Sequence, residues 1–228
     1  YGLNAQVEDV LDAVKYLYDN ASQVGIDTNN IYLAGGSSGG HLALLAAYTM
    51  GEGFTTTLKT RTYVFEIQAV CSLAAPVMAE DLAATGMDQD MSEADSRMFL
   101  SQLLGETMTE DDPDALLRAD PRTYLTADSP PTVVLQGQLD TSVPPRNAEA
   151  LYEALQENNV PSELVIYADA DHQNWPVARV LYDMYSFFEE HRVPEDDTAA
   201  PAASGGASSV PAASSVASSS VAAGDEPE

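Results

Sequence analysis

Six consecutive Gly and Ser residues separate a strand-like segment from a helix-like segment near the start of the chain. Residues 31–34 are apolar and typical of a strand, residues 42–47 contain only Leu and Ala, and G-G-S-S-G-G fills positions 35–40. This pattern predicts a strand that turns sharply into a helix. The two elements nearly collide at such a turn, so the residues two before and two after the serine at its tip must be small. Gly35 and Gly39 flank Ser37 at that spacing, which predicts a nucleophile elbow.

The pattern G-x-S-x-G fits the segment in a second register, since Gly36 and Gly40 flank Ser38. We favour Ser37, because Ser38 then opens the helix and its backbone N–H group can stabilise an oxyanion. Two other interpretations stay open. The segment could be a Gly/Ser turn without chemistry, or a phosphate-binding loop, although it lacks the Lys-Ser/Thr pair and the G-x-G-x-x-G spacing of such loops.

A nucleophilic serine needs a general base, and the chain contains 3 histidines. His41 lies one turn into the predicted helix, where its side chain points along that helix, and His191 ends an amphipathic run beside the tail. His172 follows the strand-like residues 162–167, so it lies at the carboxyl end of a strand, where parallel sheets place their sites. We therefore expect His172 to be the base. An exposed loop histidine without a role is the alternative.

A carboxylate should orient the imidazole and stabilise its charged form. Asp140 follows the buried-strand pattern of residues 132–136, one strand before the strand that precedes His172. The chain order is then Ser37, Asp140, His172, which is the serine, acid, histidine order of α/β-hydrolases. The rival acids are Asp169, Asp171, Glu80 and Asp81.

These motifs resemble those of α/β-hydrolases of the esterase/lipase kind, near the hormone-sensitive-lipase-like and the feruloyl- or acetyl-esterase-like groups. Residues 35–43 resemble the family segment G-D-S-A-G-G-N-L-A. Residues 120–125 and 129–144 resemble the run S-P-x-x-Y, P-P, H-G-x-x-D-x-x-V-P, and residues 150–155, Val160 and the pair Asp171-His172 complete the match. The similarity covers most of residues 1–192, the C-terminal two-thirds of such an enzyme. It implies carboxylic ester hydrolysis through an acyl-enzyme.

Two departures from the family pattern concern this site. Gln136 stands where histidine is usual, and we expect this structural position to tolerate the change. The family supplies a second oxyanion-hole donor from an H-G-G-G-type loop, and no such segment precedes Tyr1. We therefore expect an N-terminally truncated sequence, which could be inactive as given because one oxyanion donor contributes about 10²–10³ to turnover.

Two other functions are compatible with the same residues. A prolyl-oligopeptidase-like serine peptidase would use the same order of serine, acid and histidine, but such enzymes carry an N-terminal propeller. A non-catalytic hydrolase-like binding module would keep the fold alone. The presence of Ser37, Asp140 and His172 together argues against the second of these.

The alternation of strand and helix patterns predicts a partial α/β-hydrolase fold, with a parallel sheet of about four strands flanked by helices. Strands are predicted over residues 31–35, 64–74, 132–137 and 163–168, and helices over 4–20, 38–50, 145–158 and 176–191. The nucleophile strand would form an edge of this sheet. Residues 79–125 predict a cap-like helical insertion. Side chains that could line a substrate pocket, or pack a helical core, are Met78, Met87, Met91, Met98, Phe99 and Met108, and Trp175 could border the site or pack the last helix.

The segment 194–228 is dominated by Ala, Ser, Pro and Gly and has no aromatic residue. It cannot bury enough apolar surface to offset its ordering entropy, so we predict a disordered linker or tail after a hydrolase domain of residues 1–193. The tail could link to a further domain or surface. We interpret its composition as favouring a secreted or cell-surface protein.

The chain carries 36 acidic and 9 basic residues, a formal net charge of −27. This charge argues against nucleic acids and anionic membranes as partners. The single cysteine, Cys71, lies in an apolar run and cannot form an intrachain disulfide. The histidines and the cysteine lack metal-ligand spacing, and no run approaches the roughly 18 apolar residues of a membrane span. We expect a small-molecule ester substrate and no cofactor.

Overall fold

The computed structural model describes residues 2–50, 63–78 and 114–194. These residues form four strands: β1 (Tyr32–Gly36), β2 (Ala69–Leu73), β3 (Thr132–Gly137) and β4 (Ser162–Tyr167). The helices are α1 (Leu3–Asp19), α2 (Ala21–Val24), α3 (Ser38–Thr49), α4 (Asp114–Ala119), α5 (Arg146–Glu157) and α6 (Val177–Glu190), with a 3₁₀ turn over Pro121–Tyr124. The described residues up to Val193 belong to one unit, and Pro194 is the only described residue of a second unit, 194–228.

The sheet is parallel throughout, with the strand order β1-β2-β3-β4. In its register Tyr32 lies opposite Ala69, and Thr132 lies opposite both Val70 and Ser162. Because parallel strands all end at the same edge, the loops after β1, β3 and β4 meet there. The predicted α/β fold with a four-stranded parallel sheet is confirmed.

Helices cover both faces of the sheet. Because alternate residues of a strand point to opposite sides, neighbouring residues of β2 and β3 lie in two separate cores. On one face, Val70 and Val134 pack in a core with the buried residues of α1, α3 and α5. On the other face, Cys71 and Leu135 pack against α6, whose contributions are Val180, Phe187 and Phe188. Burial on both faces explains why β2 and β3 are mostly apolar in sequence and lack the strict apolar/polar alternation of a strand with one solvated face.

The predicted boundaries agree with the structure to within one or two residues, except at the start of β2. The strand begins at Ala69 and not at residue 64, although Phe65 and Ile67 are buried. Its ladder partner β1 begins at Tyr32, which lies opposite Ala69. An apolar pattern reports burial, whereas a strand also needs a partner, so the prediction placed the start too early.

Most of the predicted cap-like region lies outside the described residues, as do Met87, Met91, Met98, Phe99, Met108 and the rival acids Glu80 and Asp81. Its described end comprises α4 and the 3₁₀ turn. The predicted disorder of the tail likewise concerns residues that lie outside the described ranges. Both interpretations stay predictions.

The turn from β1 into α3 depends on two glycines, only one of which has the predicted role. A Cβ atom on Gly35 would lie 2.2 Å from the carbonyl oxygen of Gly39, and one on Gly40 would lie 2.8 Å from that of Gly35. A Cβ atom on Gly39 would meet nothing within 4 Å. The expectation that the residue at position 39 must be small is therefore wrong: the backbone of Gly39 approaches Gly35, while a Cβ atom on Gly39 would face open space.

The two glycines that flank Ser37 in G-x-S-x-G should respond oppositely to the same substitution. We expect Gly35→Ala to lower the free energy of unfolding by about 3 kcal/mol or more, because the new methyl overlaps backbone that cannot move aside. Gly39→Ala should leave it unchanged or raise it by up to about 1 kcal/mol, because alanine suits a helix better than glycine. Urea denaturation followed by circular dichroism measures both. Equal losses in the two variants would contradict this packing.

The thiol of Cys71 lies in the middle of β2 with only 2% of the residue exposed. Burial raises its pKa to about 12, so almost no thiolate exists near neutral pH. We expect iodoacetamide at pH 8 to leave Cys71 unmodified in the folded protein and to alkylate it fully in 6 M guanidinium. Mass spectrometry of the intact chain distinguishes the two states, and rapid alkylation of the folded protein would contradict the buried position.

Candidate active site

Ser37 occupies the tip of the turn between β1 and α3. Its backbone dihedrals are φ 53° and ψ −126°, in a region that side-chain-bearing residues rarely adopt. Its N–H group donates to Leu73 O of β2 at 2.8 Å, and its carbonyl accepts from His41 N at 3.1 Å. These bonds fix the strained backbone at both peptide groups. Ser38, by contrast, is already the first residue of the helix.

His172 joins Ser37 and Asp140 in one hydrogen-bonded chain. Its Nε2 lies 3.1 Å from Ser37 Oγ, and its Nδ1 lies 2.8 Å from Asp140 Oδ2. A carboxylate only accepts, so the network assigns the proton of a neutral imidazole to Nδ1 and leaves Nε2 to accept from the Ser37 hydroxyl. The three residues come from loops or turns that follow β1, β3 and β4, as the sequence predicted.

Of the three hydrogen-bonded residues, Asp140 is the most buried, with a side chain that is 0% exposed. Its Oδ1 accepts from the backbone N–H groups of Ser142 at 2.9 Å and Val143 at 2.8 Å. Its Oδ2 faces His172 and the amide of Gln136. Backbone donors stabilise the charged form of a buried carboxylate and hold its plane.

The loop that carries His172 is ordered by its own polar groups. Asp171 Oδ1 accepts from Gln173 N and Asn174 N, each at 2.8 Å, and Asn174 Nδ2 donates to Oδ2. Hydrogen bonds from Asn174 and Gln173 hold the pKa of the Asp171 carboxyl below its usual value. The carboxyl of Asp171 is thus occupied within the loop, and the imidazole bonds to Asp140.

Trp175 holds the same loop against the end of β4. Its indole N–H donates to the carbonyl of His172 at 3.0 Å, and its ring meets the ring of Tyr167 edge-on with centroids 6.0 Å apart. The hydroxyl of Tyr167 donates to Asp183 of α6 at 2.9 Å. Trp175 therefore links the histidine loop to the end of β4 and, through Tyr167, to α6.

Gly137 allows the loops after β3 and β4 to touch. A Cβ atom here would lie 2.6 Å from the carbonyl oxygen of Ala170, and Leu139 N donates to that same oxygen at 2.9 Å. The contact brings Asp140 and His172 within bonding distance. Sequence reasoning did not assign Gly137 a role; its signal was a glycine at a strand end, which often marks a close backbone approach.

The other two histidines have separate partners. His41 is 2% exposed, and its Nε2 lies 2.6 Å from the carbonyl oxygen of Ala119. Burial lowers the pKa of His41, which keeps the ring neutral as a donor to that carbonyl. His191 Nδ1 lies 2.9 Å from the carbonyl oxygen of Phe187, and its ring packs on that residue. Of the three imidazole rings, only that of His172 is bonded to the Ser37 hydroxyl.

The backbone N–H group of Ser38 opens α3, and the first N–H groups of a helix have no acceptor within it. They also carry the positive end of the helix dipole. A negative oxygen beside Ser37 would meet this end of the helix. The role of Ser38 as an oxyanion donor stays a prediction.

Within the described ranges, no group of three or more His, Cys, Asp or Glu side chains is arranged to hold a metal ion. In the same part of the chain, no helix is both long and apolar enough to cross a bilayer.

Several known esterases are similar to this chain. Esterase LipQ of Mycobacterium tuberculosis is 27% identical over 198 residues, which are 84% of this chain and 42% of LipQ. The solved structure of a bifunctional GH43-CE protein of Bacteroides eggerthii is 27% identical with a TM-score of 0.67, over 84% of this chain and 27% of that one. A truncated carbohydrate esterase from gut microbiota shares the fold, with a TM-score of 0.65 and 23% identity over 81% of this chain and 67% of its own.

The chain spans about two fifths of the length of the curated relatives that it matches, 42% for the first and 40% for the second. The BD-FAE family model matches residues 2–155, a range that contains Ser37 and Asp140 and ends before His172. The chain belongs to the BD-FAE family, and its fold is that of an esterase-type α/β-hydrolase.

Proposed function

We propose that this protein is a serine carboxylesterase in which Ser37 is the nucleophile, His172 the general base and Asp140 the residue that orients and stabilises the imidazole. The observation that carries the proposal is the unbroken hydrogen-bonded chain from Ser37 Oγ through His172 to the buried carboxylate. Residues separated by 135 and 32 positions meet there. The similarity to esterases of known name supports the same reaction class.

In the first half-reaction, Ser37 Oγ forms a bond to the ester carbonyl carbon while its proton passes to His172 Nε2. The imidazolium is stabilised by the negative carboxylate 2.8 Å from Nδ1. The carbonyl oxygen becomes an oxyanion, for which the N–H group of Ser38 and the start of α3 supply partial positive charge.

The tetrahedral intermediate collapses when the bond to the alcohol oxygen breaks. His172 Nε2 returns its proton to that oxygen, the alcohol leaves, and the acyl group stays on Ser37. A water molecule then repeats the sequence: it loses a proton to His172, attacks the acyl carbon, and releases the carboxylic acid. Asp140 keeps its negative charge throughout.

We propose esters of short acyl chains, or esters attached to carbohydrates, as the substrate class. The support is the likeness to the GH43-CE protein and to the carbohydrate esterase. The net charge of −27 is consistent with neutral substrates and disfavours strongly anionic ones. The Ala/Ser/Pro-rich tail would then serve as a tether to a further domain or surface.

Labelling of the full-length protein with a fluorophosphonate probe tests the identity of the nucleophile. We expect rapid covalent labelling, its loss in Ser37→Ala, and its persistence in Ser38→Ala, because only the first serine is bonded to His172. Ser38 is the matched control, since it is the neighbouring serine that the sequence pattern also allowed. Labelling that survives Ser37→Ala would contradict the assignment.

Replacement of the acid tests the role of Asp140. In Asp140→Asn the amide can donate to Nδ1, which favours the wrong tautomer, so kcat for a short-chain p-nitrophenyl ester should fall by about 10²- to 10⁴-fold with KM nearly unchanged. Asp169→Asn is the control, because this rival acid is exposed and lies close in sequence to His172. A wild-type kcat in Asp140→Asn, or an equal loss in Asp169→Asn, would contradict the assignment.

The bond that is cleaved is tested by competition between substrates. We expect the full-length protein to release acetate from acetylated oligosaccharides and to leave prolyl peptides intact. Cleavage of prolyl peptides with faster turnover than any ester would favour the peptidase. No turnover of either class would favour a binding module.

A further inference from the structure

Gln136 reaches Asp140 from inside the sheet. It is the fifth residue of β3, it is 0% exposed, and its Nε2 amide nitrogen lies 3.2 Å from Asp140 Oδ2. The same nitrogen lies 3.2 Å from Gly137 O and 3.1 Å from Val143 O. One buried amide thus faces three acceptors on the turn that carries Asp140.

The orientation of this amide follows from its surroundings. All three partners of Nε2 are oxygen acceptors, so a flipped amide would direct its own oxygen at a carboxylate and two carbonyls. In the orientation that the structure has, Oε1 is buried, and among the described residues no hydrogen-bond partner of Oε1 is found. An unpaired buried amide oxygen lowers the stability of the fold. An apolar side chain of the same size would avoid this loss of stability.

The geometry divides the donors to Asp140 into two pairs. Oδ1 accepts from two backbone N–H groups, those of Ser142 and Val143, whereas Oδ2 accepts from the side chains of Gln136 and His172. His172 changes its own charge during ester hydrolysis, so its bond to Oδ2 varies through the cycle. Gln136 is the donor to Oδ2 that does not change.

We infer that Gln136 is a positioning residue for ester hydrolysis: its amide holds Asp140 Oδ2 in the orientation that receives the Nδ1–H group of His172. This inference rests on the proposed function. Because Gln136 is 0% exposed, we expect it to make no contact with the substrate and to act on kcat through the carboxylate of Asp140.

Gln136→Met tests the inference, because methionine keeps the length and burial of the side chain and removes both N–H donors. We expect kcat for a short-chain p-nitrophenyl ester to fall by about 10- to 100-fold, the usual effect of losing a hydrogen bond to a charged group, with KM within twofold. Gln136→His should retain kcat within a few-fold, since an imidazole N–H can donate over a similar reach.

Thr132→Val is the matched control. Thr132 is also 0% exposed and lies on β3, and its hydroxyl bonds to Pro130 O and to Tyr48 OH, each at 2.9 Å, at the end of the strand away from Asp140. The substitution removes two hydrogen bonds made by a buried side chain of the same strand without touching the carboxylate. We expect its kcat to equal that of the wild type.

The spectroscopic readout is the proton NMR signal of His172 Nδ1–H, which reports the bond to Asp140 without any substrate. We expect this signal to shift or broaden in Gln136→Met, to return near its wild-type position in Gln136→His, and to be unchanged in Thr132→Val. If Gln136→Met does not fold, Gln136→Asn replaces it, because its amide is one methylene too short to reach Oδ2.

Three results would overturn the inference: an unchanged kcat and Nδ1–H signal in Gln136→Met, an equal loss of kcat in Thr132→Val, or a Gln136→His variant as slow as Gln136→Met. A different set of results would contradict the proposed function itself. In that case the wild-type protein hydrolyses no ester and resists fluorophosphonate, while the Nδ1–H signal of Gln136→Met still shifts and the link from Gln136 to Asp140 stands.

Discussion

The close approach of β1 to α3 at Gly35 is the constraint on which the rest of the site depends. With no side chain at Gly35 or Gly40, the helix can start directly against the strand that leads into it. The one residue between the end of β1 and the start of α3 is held at a positive φ. That residue is Ser37. The strain at this one position directs its hydroxyl beyond the carboxyl edge of the sheet, toward the loops that follow the later strands.

The parallel sheet supplies the other half of the geometry. Because β3 and β4 end at the same edge, Asp140 and His172 need only short loops to meet, and Gly137 lets those loops touch. Each polar member is then held by fixed groups: Asp140 by backbone N–H groups and Gln136, and His172 by its bond to Asp140 and by Trp175 at its carbonyl. Such preorganisation is what a charge-developing reaction requires, since no reorganisation is needed when the imidazole becomes charged.

The residue types and their positions at strand ends were sufficient to predict Ser37, Asp140 and His172 as partners, because a small set of histidines and a parallel sheet leave few arrangements. The elbow glycines were predicted only in part. The G-x-S-x-G spacing singles out Gly35 and Gly39, whereas the overlap that forbids a side chain falls on Gly35 and Gly40, a distinction that depends on Cβ directions.

Gln136 shows why the rest was not predictable. From the sequence it is a polar interruption of an apolar strand, at a position where the resemblance to esterases and lipases leads one to expect histidine. Its contact with Asp140 depends on how the chain turns back between residues 137 and 143, which no local pattern reports. The prediction of where β2 starts was wrong for a related reason, since strand pairing depends on where a distant strand begins. The roles of residues 79–113 and of the tail stay predictions.

The central claim is that Ser37 carries the acyl group during turnover. Rapid acid quenching of the full-length protein with a slowly hydrolysed ester, followed by peptide mapping with tandem mass spectrometry, measures this directly. We expect the acyl mass on Ser37 and its disappearance as hydrolysis completes. An acyl group on Ser38, or continued ester hydrolysis with no acylated serine, would contradict the claim.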